Sequence, residues 1–239
     1  GMVHEVDHPR IIQKSIAKGT ANMRRTRAMT EEQVYQALEL GFESASAEIV
    51  NSCDLLITGE MGVGNTTSAS AIYSAVTGMN PELITGSGAG LPADRVKHKA
   101  LIIKESLELH KPDPENPVDI LSAVGGFELA AMCGVMLAGA VHRCAVVVDG
   151  FISGAAAVLA MKFDPAVRDF LIFSHQSGET GFSEVSRIFD IDPLVNLNMR
   201  LGEGTGAVMV LPLIENALAC YYQMATFEEA GVTEVVNDP

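Results

Sequence analysis

One unit constrains this chain more than any other, and it recurs: a short apolar run, a glycine-bearing turn, then a helical stretch. Asp54 to Thr58 is an apolar run of strand length, followed at once by Gly59-Glu-Met-Gly-Val-Gly-Asn-Thr-Thr67 and by residues 68–77, which read as a helix closed by Gly78. Ala145 to Val148, Asp149-Gly150 and an Ala-rich helix over 153–162 repeat the order. Phe170 to Phe173, a loop from Ser174 to Phe182 and a short helix over 183–189 repeat it again. Alternation of this kind predicts an α/β fold, a mostly parallel Rossmann-like sheet with helices on both faces. The glycine-rich loops then fall at the strand carboxyl ends, where ligands of such sheets bind.

The 239 residues suffice for one large α/β domain, and no linker divides them. Residues 1–29, with Arg24, Arg25 and Arg27, differ in character and read as an amino-terminal arm or short helix; residues 30–239 form the main domain. Thr30 and Gln33 fit a capping box, opening a helix that runs to about Ala47. A net charge of −14 argues against partners that are themselves polyanions, nucleic acid or anionic membrane. The apolar stretches Leu129 to Val141 and Gly150 to Met161 are shorter than the ~20 residues of a membrane span, and no signal-peptide pattern opens the chain. Cys53, Cys133, Cys144 and Cys220 form no CxxC pair and read as reduced thiols packed in the core of a cytoplasmic protein. A hydrophobic share of 48% with only 5% aromatics and no Trp predicts a core of small and aliphatic side chains.

Chemistry concentrates in four loops. The first nearly matches a phosphate-binding P-loop: Gly59, four residues, Gly64, then Asn65 where Lys belongs and Thr66 where Ser or Thr belongs. The missing Lys counts against a triphosphatase, although Val146 to Asp149 imitates a strand that supplies a magnesium-binding Asp. A glycine turn with an Asn cap, or a helix start that receives a phosphate, both remain open. A second loop, Gly86-Ser-Gly-Ala-Gly90, precedes a helix with Arg95, Lys97 and Lys99, which is a phosphate-side cluster or a solvated face. The third, Ser174 to Gly181, offers hydroxyls and backbone donors. His175 within it has no second His or Cys at ligand spacing and reads as a hydrogen-bonded structural residue. In the fourth, Arg200-Leu-Gly-Glu-Gly-Thr-Gly206, Glu203 is either a partly desolvated general base or a cap on the following helix.

Taken together, the first loop, Val148-Asp-Gly-Phe-Ile152, Phe173-Ser-His-x-Ser177 and Arg200-Leu-Gly-Glu-Gly-Thr-Gly-Ala207 resemble the nicotinate-nucleotide:dimethylbenzimidazole phosphoribosyltransferase family. Gly19-Thr-Ala-Asn22 and Ala28-Met-Thr30 resemble it too, and all stand in the family's order from about residue 18 to 225. The resemblance implies a glycosyltransfer in cobalamin lower-ligand synthesis: nicotinate mononucleotide and 5,6-dimethylbenzimidazole give α-ribazole 5′-phosphate and nicotinate. It implies that Glu203 is the general base, and that neither metal nor cofactor is needed. By the same resemblance Glu60 and Gly62 line the ribose-phosphate site, with Gly88, Lys99, Ser177 and Gly178 on its phosphate side. Met61 and Leu201 wall the flat base, Asp149 and His175 support the loops, and the protein is a homodimer. Ala155 to Ala160 and Ala217 to Tyr222 are small-residue helices that offer either an apolar subunit face or intrachain packing. Ser87, Ala89 and Phe182 depart from the family pattern, which has Arg, Thr and His there. Family members also carry roughly a hundred further amino-terminal residues, and the opening Gly1-Met2 resembles a cloning scar. The alternative is a non-catalytic or truncated nucleotide-binding module of the same fold.

Overall fold

The computed structural model describes residues 8–88 and 90–232, so Gly1-Met2 and Ala89 lie outside the described residues. Residues 8–29 contain no helix or strand. Their end is pinned to the domain by backbone donation from Ala28 to Ala123 and Met29 to Ser122, and by ion pairs of Arg24 with Glu105 and Arg27 with Asp119. Helix α1, Glu31–Val50, begins at the expected capping box: Thr30 Oγ1 accepts from Gln33 N (3.2 Å) and Gln33 Oε1 accepts from Thr30 N (3.1 Å). Strand β1, Leu55–Thr58, leads through the first glycine loop into α2, Thr66–Thr77, which Gly78 closes at φ 71°. A helical layer follows: α3, Pro81–Ile84; α4, Ala93–His110; α5, Pro117–Val124; and α6, Phe127–His142.

The second unit is β2, Ala145–Val148, running directly into α7, Gly150–Phe163. That helix starts three residues earlier than the Ala-rich pattern indicates, because Gly150 adopts φ +67° and turns the chain from strand to helix without a loop. The third comprises β3, Leu171–Phe173, and β4, His175–Ser177, then α8, Phe182–Ile188; β5, Val195–Met199, and α9, Thr205–Gln223, complete the chain. The expected Ser174 loop thus holds a strand. Its three residues, His-Gln-Ser, are too few and too polar to display a strand period.

Strands β1, β2 and β3 form a parallel sheet in that order, with Ile57, Val147 and Ile172 in register. Strands β4 and β5 form a second parallel pair. Val146, Val148, Leu171 and Phe173 point into the main core, whereas Leu55, Val147 and Ile172 point to a smaller core closed by Ala207 and Val210 of α9. Helices therefore cover both faces, as the sequence pattern predicts. Ala155 to Ala160 are fully buried within the chain, which settles that stretch as intrachain packing; Ala217, Leu218, Tyr221 and Tyr222 on α9 are exposed. By length and composition α9 is apolar enough to cross a membrane, which the stretches considered from sequence are not, but Gly206, Ala207 and Val210 anchor its first half under the sheet. Of the cysteines, Cys133 and Cys144 are core residues; Cys53 is half-buried and Cys220 is exposed on α9, contrary to the uniform core expectation.

Helices α1 and α6 cross at two glycines. A Cβ on Gly41 would overlap the carbonyl oxygen of Ala131, and one on Gly134 that of Leu38. Backbone cannot yield as a side-chain tip can, so Gly134→Ala is expected to force the helices apart. The cost should be about 1–3 kcal/mol, read as a lowered urea midpoint at unchanged slope.

Candidate active site

The carboxyl ends of β1, β2, β4 and β5 and the four loops converge on one open cleft. Glu60, Met61 and Gly62 of the first loop line it, with Gly88 of the second, Ser177 of the third and Leu201 of the fourth. Six of the residues expected from sequence thus meet there. Lys99, Gly178 and Glu203 stand just behind or beside that wall. Lys99, on α4, is buried, and its ammonium donates to Thr66 Oγ1 (2.8 Å) and Gly86 O (3.4 Å). It is not part of a solvated face, although Arg95 and Lys97 of the same helix are exposed. Burial pushes its pKa down while the negative charge of Glu179 holds it up. The Gly178 amide is engaged, donating to Met199 O (3.0 Å).

The first and fourth loops are locked backbone to backbone. Glu203 N donates to Glu60 O (2.8 Å), a Cβ on Gly59 would overlap Gly204 N, and one on Gly202 would overlap Glu60 O. Glu203 adopts φ +64° and its side chain is exposed beside the cleft mouth, where Met61 and Leu201 are also exposed. Glu203 does not cap α9. The cap residue is Gly204, and Asp149 supplies the missing acceptor: its Oδ2 accepts from Gly204 N (2.9 Å) and its Oδ1 from Ala207 N (3.2 Å). Both oxygens thus hold amides at the junction of the fourth loop and α9. Asn65, for which a cap was one of two alternatives, makes no side-chain capping bond on α2; its buried side chain turns toward Glu128, whose carboxyl pKa is pushed up by burial and by the charge of Glu60.

His175 is buried against Asp149, Nδ1 to Oδ1 3.5 Å, and 3.0 Å from Ser174 Oγ. The Ser174 hydroxyl donates to Val148 O (2.8 Å), so its oxygen is left to accept from His175, assigning the proton to Nδ1. Burial lowers the pKa of His175 and raises that of Asp149, each opposed by the other's charge. Among the described residues no three His, Cys, Asp or Glu side chains gather as metal ligands.

Gly150, Phe151, Ile152, Glu179, Arg200 and Gly202 also line the wall, and sequence reasoning assigned no role to any of them. Gly150 opens α7 toward the cleft, Thr66 relays Lys99, Glu179 flanks Gly88, and Arg200 contributes an exposed guanidinium beside Gly178. A signal was present for Gly150, since a glycine between strand and helix marks a helix start that can face an anion. None was present for Glu179, whose place depends on the unforeseen strand β4.

Comparison with known proteins places these features in a family. Residues 1–232 match the family model DBI_PRT, described as phosphoribosyltransferase. The nicotinate-nucleotide–dimethylbenzimidazole phosphoribosyltransferase of Oleidesulfovibrio alaskensis is 48% identical over 228 residues, 95% of this chain and 64% of the relative. That of Clostridium acetobutylicum is 42% identical over 232 residues, 97% and 66% respectively. The crystal structure of CobT from Thermus thermophilus superposes with a TM-score of 0.90 at 38% identity, covering 98% of this chain and 70% of that one. The chain spans just under two thirds of the length of these curated relatives. On the strength of a family match over nearly its whole length and of this superposition, the chain belongs to the DBI_PRT phosphoribosyltransferase family.

Proposed function

We propose that this chain transfers phosphoribosyl from nicotinate mononucleotide to 5,6-dimethylbenzimidazole, with Glu203 as general base. The observation that carries the reading is convergence. Glu60, Gly88, Ser177 and Leu201, far apart in sequence, meet on one cleft at the strand carboxyl ends, with Lys99 behind it. The phosphate would face Lys99, Gly88 and the start of α7, where a buried cation and helix-end amides suit an anion. Met61 and Leu201 would hold the flat base at the mouth beside Glu203. One azole nitrogen attacks the anomeric carbon as the bond to nicotinate breaks, its electron pair returning to the pyridine nitrogen. Glu203 takes the proton from the other azole nitrogen. Holding two rings in line accounts for most of what the protein must do.

Incubating the chain with nicotinate mononucleotide and dimethylbenzimidazole should release nicotinate and an equal amount of α-ribazole 5′-phosphate, measured by chromatography. A second reading has its own support: Glu203 is exposed beside the cleft, which favours a nucleotide-binding module. Calorimetric binding of the mononucleotide without turnover at high protein concentration would select it. The exposed apolar residues of α9, Met209, Leu213, Leu218 and Tyr221, support a homodimer, as the sequence resemblance implies.

A further inference from the structure

We propose that Glu179 is a displaceable counter-ion whose carboxylate competes with the substrate's phosphate for the donors of the cleft, and thereby sets how tightly phosphate-bearing ligands are held. The inference rests on the cleft reading above and concerns a residue that the sequence motifs leave unassigned. Glu179 follows β4 and lines the cleft between Ser177 and Gly88. Its Oε2 lies 3.4 Å from Gly88 N and so close over Gly86 that a Cβ there would overlap it. The carboxylate therefore lies over the second glycine loop, on the side where an anion would meet the Gly88 amide.

Lys99 stands beneath the same loop, and its two hydrogen-bond partners, Thr66 Oγ1 and Gly86 O, are neutral. No carboxylate lies within ion-pair distance of it among the described residues. Burial pushes the Lys99 pKa down, and the charge of Glu179 opposes that shift. A phosphate monoester, carrying about −1.5 to −2 charges, would take over that task and the Gly88 amide together. Carboxylate and phosphate cannot share these donors without like-charge repulsion. Glu179 is half-buried in a segment flanked by Gly178 and Gly181, so rotation of its side chain toward solvent relieves the conflict. Release of a phosphorylated product would be assisted as the carboxylate returns.

Glu179→Gln tests this, since the amide keeps the shape and the ability to accept from Gly88 N while removing the charge. Calorimetry should show nicotinate mononucleotide binding on the order of tenfold tighter to the variant. Inorganic phosphate should gain similarly as a competitor, whereas nicotinate riboside, which lacks the phosphate, should bind both proteins equally. A mononucleotide affinity that is unchanged or weaker in a variant with unaltered melting temperature overturns the inference and leaves the cleft reading in place. Equal tightening of mononucleotide and riboside overturns it too, because the effect would then be general repacking. If the mononucleotide binds neither protein, the cleft reading fails and the inference falls with it.

Discussion

Glu203→Gln is expected to lose about two to four orders of magnitude in nicotinate release while binding nicotinate mononucleotide as the parent does. The amide cannot take a proton at neutral pH, yet it preserves the volume of the side chain. The side chain is exposed beside the cleft mouth and makes no hydrogen bond among the described residues, so folding should be untouched. Its backbone carries the structural duty: the amide donates to Glu60 O, and φ +64° turns the chain into Gly204. Rate loss at unchanged affinity is thus the signature of a base. Turnover equal to the parent's would remove Glu203 from the chemistry and return the proton to another group.

Asp149→Ala should be the most destabilising single change near the site. Asp149 is buried, and its two oxygens satisfy the first amides of α9 while facing His175. Truncation leaves two buried N–H groups without acceptors and an imidazole without its partner, at a cost of about 3–5 kcal/mol. Denaturant unfolding would show it as a midpoint shift with little change in slope. Asp149→Asn should recover part of the loss, because one amide oxygen can still accept. A loss below about 1 kcal/mol for the Ala variant would mean that water or a neighbour replaces the carboxylate.

The strand, glycine and helix order was readable because each part leaves a local mark: apolar runs for β1 and β2, glycines for the turns, a capping box at Thr30. Glu60, Gly88 and Ser177 were brought together by the family resemblance, and the parallel sheet explains why the loops of Glu60 and Ser177 meet at one end. Other features depend on tertiary contacts that no local pattern records. Asp149 caps a helix 55 residues away in sequence, taking the capping role that was one of the two alternatives for Glu203. Lys99 sits in a run of exposed cations and is buried only because Thr66 and Gly86 come over it. Strand β4 was hidden by its polarity, and with it the position of Glu179.

The backbone lock between the first and fourth loops has an evolutionary consequence. Gly59 and Gly202 each fit only because the other loop presents bare backbone at the crossing, and Glu60 and Glu203 are tied by one amide. Changes in the two loops are therefore not independent. A side chain gained in one can be tolerated only after the other has moved, so drift in substrate preference here must pass through paired substitutions. The residues free to vary singly are those at the open mouth, Met61 and Leu201, where the flat base would enter.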